Sequence, residues 1–276
     1  MEKHFCYTAN MTLPIIYSAH HASYNFGAFE PRVSLSEEEK LRFSDLGTER
    51  TVPQNGYATL ISEYSRGIVD LNRSVDNPDT IHPTYDFARP LRNAIWKAGQ
   101  ELTVVEKSVI KESVYDAYHS SITKAVTELA TDCLVVAWDN TAHYIIGKNA
   151  AGDEQMMVPI VLSNQGDEGK TTGRATTCKP ELLEALGNAL SRELAAGGLP
   201  FDIYYNLVFK GGNVARTHTN FAQTNPRYQT HSVQSLQLEY DMQMTHDQAT
   251  LAVKPENIKL LREAFEVAVA KVAHFI

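Results

Sequence analysis

The chain has 276 residues, 43% of them hydrophobic and 21% charged, so it can bury a sizeable core and is not expected to be disordered. Its formal net charge of −8 disfavours nucleic acid or an anionic membrane as a partner. The 3 cysteines are too few and too scattered for a disulfide framework, and no apolar run approaches the roughly 18 residues of a membrane span. We expect a cytoplasmic protein without a signal peptide and without nucleic-acid or membrane partners; its oligomeric state is not indicated.

In the first half of the chain, strands and helices are expected to alternate. Apolar residues at 13–18 predict a buried strand, and a Ser-x-x-Glu capping-box pattern introduces a short helix at 34–43. A second strand is expected at 57–64. A loop rich in Asp, Asn, Pro and Thr follows at 76–90, and apolar residues at helical spacing then predict a long helix at 112–130.

The second half continues this alternation. The continuous apolar run at 133–138 is typical of a central strand that is buried on both faces. A polar loop rich in Gly, Thr and Asp at 164–177 precedes a helix at 180–196, which has Pro near its first turn and two glycines after its end. Two further strands are predicted at 202–209 and 233–239.

A helix at 255–275 closes the chain, with apolar residues on one stripe. The alternation of strands and helices predicts an α/β fold: a three-layer α/β/α arrangement around a mostly parallel mixed sheet. Because no linker composition interrupts the pattern, we expect residues 1–276 to form a single domain.

Three of the predicted strands lead into metal-capable or acid/base side chains. His21 follows the first strand, His143 lies shortly after the strand at 133–138, and Glu239 ends the strand at 233–239. Ligands of open α/β sheets bind outside the carboxyl ends of the strands, so these side chains are expected at one rim. Two histidines and a glutamate are the material of a catalytic zinc site, which needs about three protein ligands and an open position.

The tandem His20-His21 presents a choice. In an extended stretch, neighbouring side chains point to opposite faces, so only one of the two histidines is expected to face a given cleft. Asp45 and Glu49 present another choice, because a spacing of four places both on one face of a helix, which is also the pattern of a solvated acidic face.

The segment at 65–73, Ser-Arg-Gly-Ile-Val-Asp-Leu-Asn-Arg, interleaves charged and apolar residues directly after a predicted strand. Its last two residues, Asn72 and Arg73, can hold a carboxylate through parallel hydrogen bonds. An isolated pair of this kind is more readily explained by a surface salt bridge.

The order of these segments resembles the N-formylglutamate amidohydrolase family. The likeness runs from about residue 13 to residue 245, and Ser-Arg-x-x-x-Asp-Leu-Asn-Arg at 65–73 is its most specific piece. The remaining counterparts are weaker: His21, Asp45 with Glu49-Arg50, Tyr118-His119, Asp139 to His143, Gly211-Gly212 with Arg216, and Leu236 to Glu239. The resemblance implies a phosphorylase/hydrolase-like fold, similar to that of the zinc carboxypeptidases and other zinc exopeptidases.

For function, the resemblance implies zinc-dependent hydrolysis of a small N-formyl or N-acyl amino acid, such as N-formylglutamate to glutamate and formate. The zinc ligands would be His21, Glu49 and His143. Glu239 would be the general base, and Arg66 would polarise or anchor the scissile carbonyl.

Further roles are implied by the same resemblance. Four residues would bind the substrate: Arg73, Asn72, Arg216 and Asn164, the last at the start of the polar loop, which resembles a lid. Three residues would orient the ligating side chains: Asp70, Asp139 and His119.

The chain departs from the family pattern at three places. His20 stands where the family has Pro, Glu49 replaces an Asp, and His143 arrives two positions later than the family's Asp-x-His-Ser spacing. Two other functions stay open: a carboxypeptidase-like or cell-wall-peptide amidase on the same scaffold and, because His143 is displaced, a ligand-binding member without activity.

Overall fold

A mixed β-sheet forms the centre of the computed structural model, which describes residues 5–9, 13–54, 56–83, 94–142, 145–148, 152–221, 228 and 231–276. Within these ranges the sheet has seven strands: β1 (Phe5–Ala9), β2 (Ile15–Ala19), β3 (Ala58–Ser62), β4 (Cys133–Thr141), β7 (Ile160–Ser163), β8 (Ile203–Tyr205) and β9 (Val233–Asp241). A separate two-stranded ribbon pairs β5 (Ile145–Lys148) with β6 (Glu154–Met156).

The strand order is β1-β3-β2-β4-β9-β7-β8. Strands β3, β2, β4 and β9 run parallel to one another, β1 is antiparallel to β3, and β7 is antiparallel to β9 and parallel to β8. The expectation of a mostly parallel mixed sheet is confirmed. The carboxyl ends of β2, β4 and β9 lie side by side at one rim.

Helices cover both faces of the sheet. The described α-helices are α1 (Glu37–Phe43), α2 (Thr48–Thr51), α3 (Val104–Ile110), α4 (Ala117–Leu129), α5 (Pro180–Ala196), α6 (Asn213–Thr217) and α7 (Pro255–Val272). Short 3₁₀ turns lie at Gly27–Arg32, Met242–Met244 and Ala273–Phe275. No helix among the described residues is long and apolar enough to cross a membrane.

The two faces of the sheet bury separate hydrophobic clusters. Side chains alternate along each strand, so Tyr17 and Trp138 pack with α5 and α7, whereas Ile16 and Val135 pack with α4 on the other face. This division produces the three predicted layers. By the same alternation, the even-numbered end of β2 and the odd-numbered ends of β4 and β9 point toward the α4 side.

Strands β4 and β9 form the longest parallel ladder, from Cys133 opposite Val233 to Thr141 opposite Asp241. Both strands extend beyond the predicted ranges because the ladder continues through polar residues that stay buried. Asp139 lies directly opposite Glu239 near the end of this ladder. The register therefore fixes the two carboxylates as neighbours.

The predicted long helix begins earlier than expected. Thr103 and Glu106 form a capping box at the start of α3, and a π-helical stretch, Lys111–Asp116, joins α3 to α4. The apolar pattern did not reveal α3 because Val104 and Val105 are exposed. Of the predicted loop at 76–90, only residues up to 83 are described.

Two tyrosines of the α7 face provide a test of the core. The hydroxyl of Tyr17 is buried without a hydrogen bond, whereas that of Tyr240 contacts Thr51 Oγ1 and Asn140 Nδ2, both at 3.0 Å. Removing an unsatisfied buried group stabilises, so Tyr17→Phe should raise the free energy of unfolding by about 1 kcal/mol. Tyr240→Phe should lower it by about 1 kcal/mol. Urea denaturation of both variants checks this, and equal destabilisation would contradict it.

Candidate active site

Both tandem histidines face the same group of carboxylates. Strand β2 ends at Ala19 and residues 20–21 form a turn, so the strand alternation no longer applies and the expectation that only one histidine faces the cleft is wrong. His20 Nε2 lies 2.9 Å from Asp139 Oδ1. His21 Nδ1 lies 3.3 Å from Asp45 Oδ2 and 3.5 Å from Asp139 Oδ1.

The outer nitrogen of each imidazole is held by an acceptor. His20 Nδ1 lies 3.1 Å from the Ser18 carbonyl oxygen, and His21 Nε2 lies 2.8 Å from Asp70 Oδ1. A carbonyl or carboxylate oxygen only accepts, so these nitrogens carry the protons. In the neutral imidazoles, His20 Nε2 and His21 Nδ1 then present lone pairs to Asp45 and Asp139. A ligating histidine is oriented in the same way. We call these two histidines and two aspartates, with the adjoining Gln237 and Glu239 of β9, the cluster.

The inward atoms meet without hydrogen-bond geometry. His20 Nε2, Asp45 Oδ2 and Asp139 Oδ1 are buried and have no hydrogen-bond partner. Buried electron-pair donors at such distances repel unless a cation lies among them. Among the described residues, His20, His21 and Asp139 form the one group with the spacing of a metal site. Imidazole nitrogens with carboxylate oxygens fit zinc or another divalent transition metal.

Asp70 joins the histidines to the 65–73 segment. Its Oδ2 accepts a hydrogen bond from Arg66 Nη2 at 3.1 Å and lies 2.9 Å from Arg73 Nε. Its Oδ1, which faces His21, also accepts a hydrogen bond from the backbone N–H of Asn72. Burial raises the pKa of Asp70, but His21 and Arg66 outweigh burial and hold this pKa well below its usual range. Asp70 is therefore an anion that orients His21.

The pKa values of Asp45 and Asp139 are shifted in opposite directions. Burial raises the pKa of Asp45 to about 6, against the lowering effect of His21. Asp139 is also buried, but His20 and His21 lower its pKa. For His21, burial and Arg66 lower the pKa, and the carboxylates of Asp70 and Asp45 reverse this and raise it well above its usual value. The carboxylates thus favour positive charge at His21, which either a proton on Nδ1 or a cation bound there would supply.

Glu239 is 5% exposed and shares an amide donor with Asp139. Gln237 Nε2 donates to Asp139 Oδ2 at 2.9 Å and to Glu239 Oε2 at 2.8 Å, and Gln237 Oε1 accepts from the Gly212 amide at 2.6 Å. Burial, then the charges of Asp139 and Asp45, raise the pKa of Glu239 well above its usual value. Gln237 therefore holds the two carboxylates at a fixed separation.

Gly212 is required by a close approach to Asn72. A Cβ at position 212 would lie 2.1 Å from Asn72 Nδ2, so any other residue there would displace the Asn72 side chain. Two residues after Gly212, the Val214 backbone amide donates to Asn72 Oδ1 at 2.9 Å. Asn72 Nδ2 in turn lies 3.5 Å from Asp139 Oδ2. The start of α6 thus packs against the carboxylate cluster through Asn72.

The N-formylglutamate amidohydrolase family model matches residues 13–244. The chain belongs to this family. The match supports an amidohydrolase, a hydrolase that acts on amide bonds. No curated protein matches the chain significantly.

Two solved structures share the fold. N-formylglutamate amidohydrolase from Ralstonia eutropha JMP134 is 18% identical, with a TM-score of 0.71 over 99% of this chain and 99% of that one. A gene product of Agrobacterium tumefaciens is 15% identical, with a TM-score of 0.63 over 98% of this chain and 95% of that one. At these identities the likeness establishes the fold, and the expected α/β architecture is confirmed.

Of the three zinc ligands that the family resemblance implied, the structure brings His21 to the cluster. Glu49 is partly exposed, and its Oε1 lies 3.3 Å from Arg50 Nε. Because helix α2 begins only at Thr48, Asp45 and Glu49 do not share a helix face, and Asp45 takes the place beside His21. His143 lies outside the residues that the structure describes.

The residues implied in substrate binding lie in different surroundings. Arg66 and Arg73 flank Asp70 with partly exposed side chains, and Arg216 is exposed on α6. The side-chain amide of Asn164 is buried and holds the polar loop together by hydrogen bonds. Its Nδ2 donates to the carbonyl oxygens of Thr171 and Cys178, and its Oδ1 accepts from the Gly166 backbone N–H and from Asn206 Nδ2. His119 reaches the segment at 65–73 through the Leu71 carbonyl.

Three residues of the cluster had no primary role in the sequence interpretation. His20 was the second choice to His21, because it occupies the position where the family has Pro. Asp45 carried no role of its own, although its motif was noted. Gln237 is two residues before Glu239 and therefore shares its face of β9, which is a signal that the sequence does contain.

Gln237 can be tested by an apolar isostere. Gln237→Met leaves Asp139 Oδ2, Glu239 Oε2 and the Gly212 amide without this partner, so the free energy of unfolding should fall by about 3 kcal/mol. Gln243→Met, at an exposed glutamine, is the matched control and should change it by less than about 0.5 kcal/mol. Urea denaturation measures both. Equal effects of the two substitutions would show that Gln237 does not hold the cluster.

Proposed function

We propose that this protein is a zinc-dependent amidohydrolase that cleaves a small N-formyl or N-acyl amino acid, such as N-formylglutamate. The observation that carries the proposal is the meeting of buried nitrogen and oxygen lone pairs from His20, His21, Asp45 and Asp139. This arrangement is expensive unless a cation is bound. The family match supports the amide-cleaving reaction.

The donor set proposed for zinc is His20 Nε2, His21 Nδ1 and Asp139 Oδ1, with Asp45 Oδ2 as an additional or alternating ligand. Zinc bound there would act as a Lewis acid and lower the pKa of a water molecule to roughly 7. Ser18 and Asp70 hold the outer nitrogens of the two histidines, which keeps the ligating atoms aimed inward. His143 stays a candidate for a further ligand.

Glu239 is the proposed general base. It lies beside Asp139 in the β4–β9 ladder, so its carboxylate is next to the proposed ligands. A raised pKa makes it a stronger base toward water and a competent donor to the leaving amine afterwards. Gln237 donates to one of its oxygens and leaves the other for this proton transfer.

The arginines are proposed to bind the substrate. Arg66 Nη1 lies 3.7 Å from Asp45 Oδ1, which places its guanidinium next to the cluster and suits contact with the scissile carbonyl. Arg73 is farther along the segment and partly exposed, so it is assigned to a substrate carboxylate, with Arg216 as a second candidate. A guanidinium binds a carboxylate through two parallel hydrogen bonds. We assign Asn72 to positioning, since Val214 and Asp139 contact its amide.

Metal content tests the site directly. The zinc-loaded protein should hold one zinc per chain after gel filtration, measured by elemental analysis. His20→Ala and Asp139→Asn should each weaken zinc binding at least about 100-fold, above the loss of roughly 10–100-fold for a residue behind the ligands. Glu49→Ala is the carboxylate control and should bind zinc as the wild type does.

Each other outcome has a defined meaning. Loss of zinc in Glu49→Ala would contradict the donor set, and loss in His143→Ala would add His143 to it. A wild-type protein that takes up no zinc would overturn the metallohydrolase proposal in favour of a ligand-binding member.

Formate release from N-formylglutamate tests the reaction. Glu239→Gln should lower kcat by about 10²–10⁴-fold while zinc content is unchanged, because the proton acceptor is lost and the ligands are kept. Glu256→Gln, at an exposed position on α7, is the control and should keep full activity. Full activity in Glu239→Gln would exclude Glu239 as the base. Stoichiometric zinc without hydrolysis of N-formyl or N-acetyl amino acids would exclude the substrate class and favour the peptide-cleaving alternatives.

A further inference from the structure

Three successive backbone carbonyls in the 65–73 segment are each held by a donor from the helices behind it. His119 Nε2 lies 3.1 Å from the Leu71 carbonyl oxygen, and Tyr115 Oη donates to the Arg73 carbonyl oxygen at 2.8 Å. Between them, the backbone N–H of Asn213 donates to the backbone carbonyl oxygen of Asn72 at 2.9 Å. We call His119, Asn213 and Tyr115 the carbonyl clamp.

The clamped stretch carries side chains of the site. Asp70, which orients His21, directly precedes it, and Asn72 and Arg73 are within it. A shift of the Leu71 carbonyl therefore moves the backbone next to Asp70. Through Asp70, such a shift alters the hydrogen bond that aims His21.

The protonation pattern of the clamp follows from its partners. The Leu71 oxygen only accepts, so His119 carries its proton on Nε2 and, when neutral, accepts at Nδ1. The donor to that Nδ1 is His218 Nε2 at 2.9 Å, and Tyr228 Oη lies 2.7 Å from His218 Nδ1. When both imidazoles are neutral, Tyr228 donates to His218, His218 donates to His119, and His119 donates to the Leu71 carbonyl oxygen. Every link thus has one direction.

The clamp residues also fix each other. Tyr115 lies in the π-helical stretch, and its ring centroid is 4.5 Å from that of His119. The His119 and His218 rings are nearly parallel, with an angle of 12° between their planes. Asn213 Nδ2 donates to Tyr115 Oη at 3.1 Å. These contacts join two stretches that are far apart in sequence, residues 115–119 and residues 213–218.

A cavity of about 550 Å³ is lined by all three clamp residues. Most of its other lining residues are polar, including Ser74, Ser120 and Thr123. Because the clamp borders open space, close packing alone does not fix its position. The hydrogen bonds to the carbonyls must then hold the segment in register with the cluster.

We infer that His119 is a positioning residue, which sets the place of Asp70, and thereby the direction of His21, through the Leu71 carbonyl. Tyr115 acts in the same way on Arg73. Neither residue is expected to touch substrate. The inference rests on the proposed function only in so far as His21 binds a metal; the structural coupling is measurable without it.

The test compares two isosteres of His119. Glutamine places an N–H donor where imidazole Nε2 lies and keeps the bond to Leu71, whereas asparagine reaches only as far as Nδ1 and loses it. The measurement is solvent exchange of the imidazole proton between His21 and Asp70, followed by NMR in the metal-free protein. In His119→Asn this proton should exchange at least about tenfold faster than in wild type, because a distorted bond opens more often. In His119→Gln it should stay within about threefold of wild type.

A control separates positioning from loss of stability. Ile122→Val lies on α4, is fully buried, and removes one methyl group. It should lower stability and leave exchange of the His21 proton unchanged. If His119→Asn and His119→Gln behave alike, or if Ile122→Val accelerates exchange as much as His119→Asn, His119 is a packing residue and the inference is overturned.

Zinc affinity gives a second readout. It should fall about fivefold to tenfold in His119→Asn and recover in His119→Gln, less than the effect of a residue that contacts a ligand directly. Absence of zinc from the wild type would overturn the proposed function alone, since the exchange comparison still decides the role of His119. Unchanged zinc affinity in His119→Asn, with zinc bound by the wild type, would count against the inference.

Discussion

The rest of the site depends on the contacts of one buried carboxylate, that of Asp139. Its Oδ1 faces both tandem histidines, which come from the turn after β2, and its Oδ2 accepts from Gln237 of the neighbouring strand. Asn72, from the segment after β3, approaches the same oxygen. One side chain thus joins three stretches of chain that are distant in sequence. A buried carboxylate is stable only with such compensation, so these stretches are constrained to meet where they do.

Charge compensation explains why the 65–73 segment has its composition. Asp70 is buried next to His21, and Arg66 and Arg73 each place a guanidinium beside it. The guanidinium groups neutralise Asp70 and stay partly exposed. A lysine would supply the charge but not the planar donors that serve two carboxylates together. The most specific motif of the sequence is therefore the one in which charge compensation of Asp70 coincides with the proposed binding of substrate.

The fold was largely predictable because apolar runs and helical periodicity decide it: the five predicted strands and four predicted helices are all present, with shifted ends. Among the missed elements, α3 has a weak pattern because its valines are exposed. Strand β7 was missed although it is buried, because a short apolar run does not by itself separate a strand from a buried helical segment. The site was predictable only in part. His21 and Glu239 follow from strand ends, but the roles of His20 and Asp45 depend on turns. Gly47, with φ of 80°, separates Asp45 from α2, and spacing alone does not reveal such a break.

The parallel register of β4 and β9 has a consequence for misfolding. Asp139 and Glu239 share one side of the sheet, and Trp138 and Leu238 share the other. A slip of one residue in either strand would turn its carboxylate into the apolar layer and its large side chain toward the rim. Burial of the apolar side chains therefore also fixes the register that places Asp139 and Glu239 on the same side of the sheet. A molecule with its acid residues misplaced would also have lost its core, so quality control that recognises exposed apolar surface would remove inactive conformers without any sensor for activity.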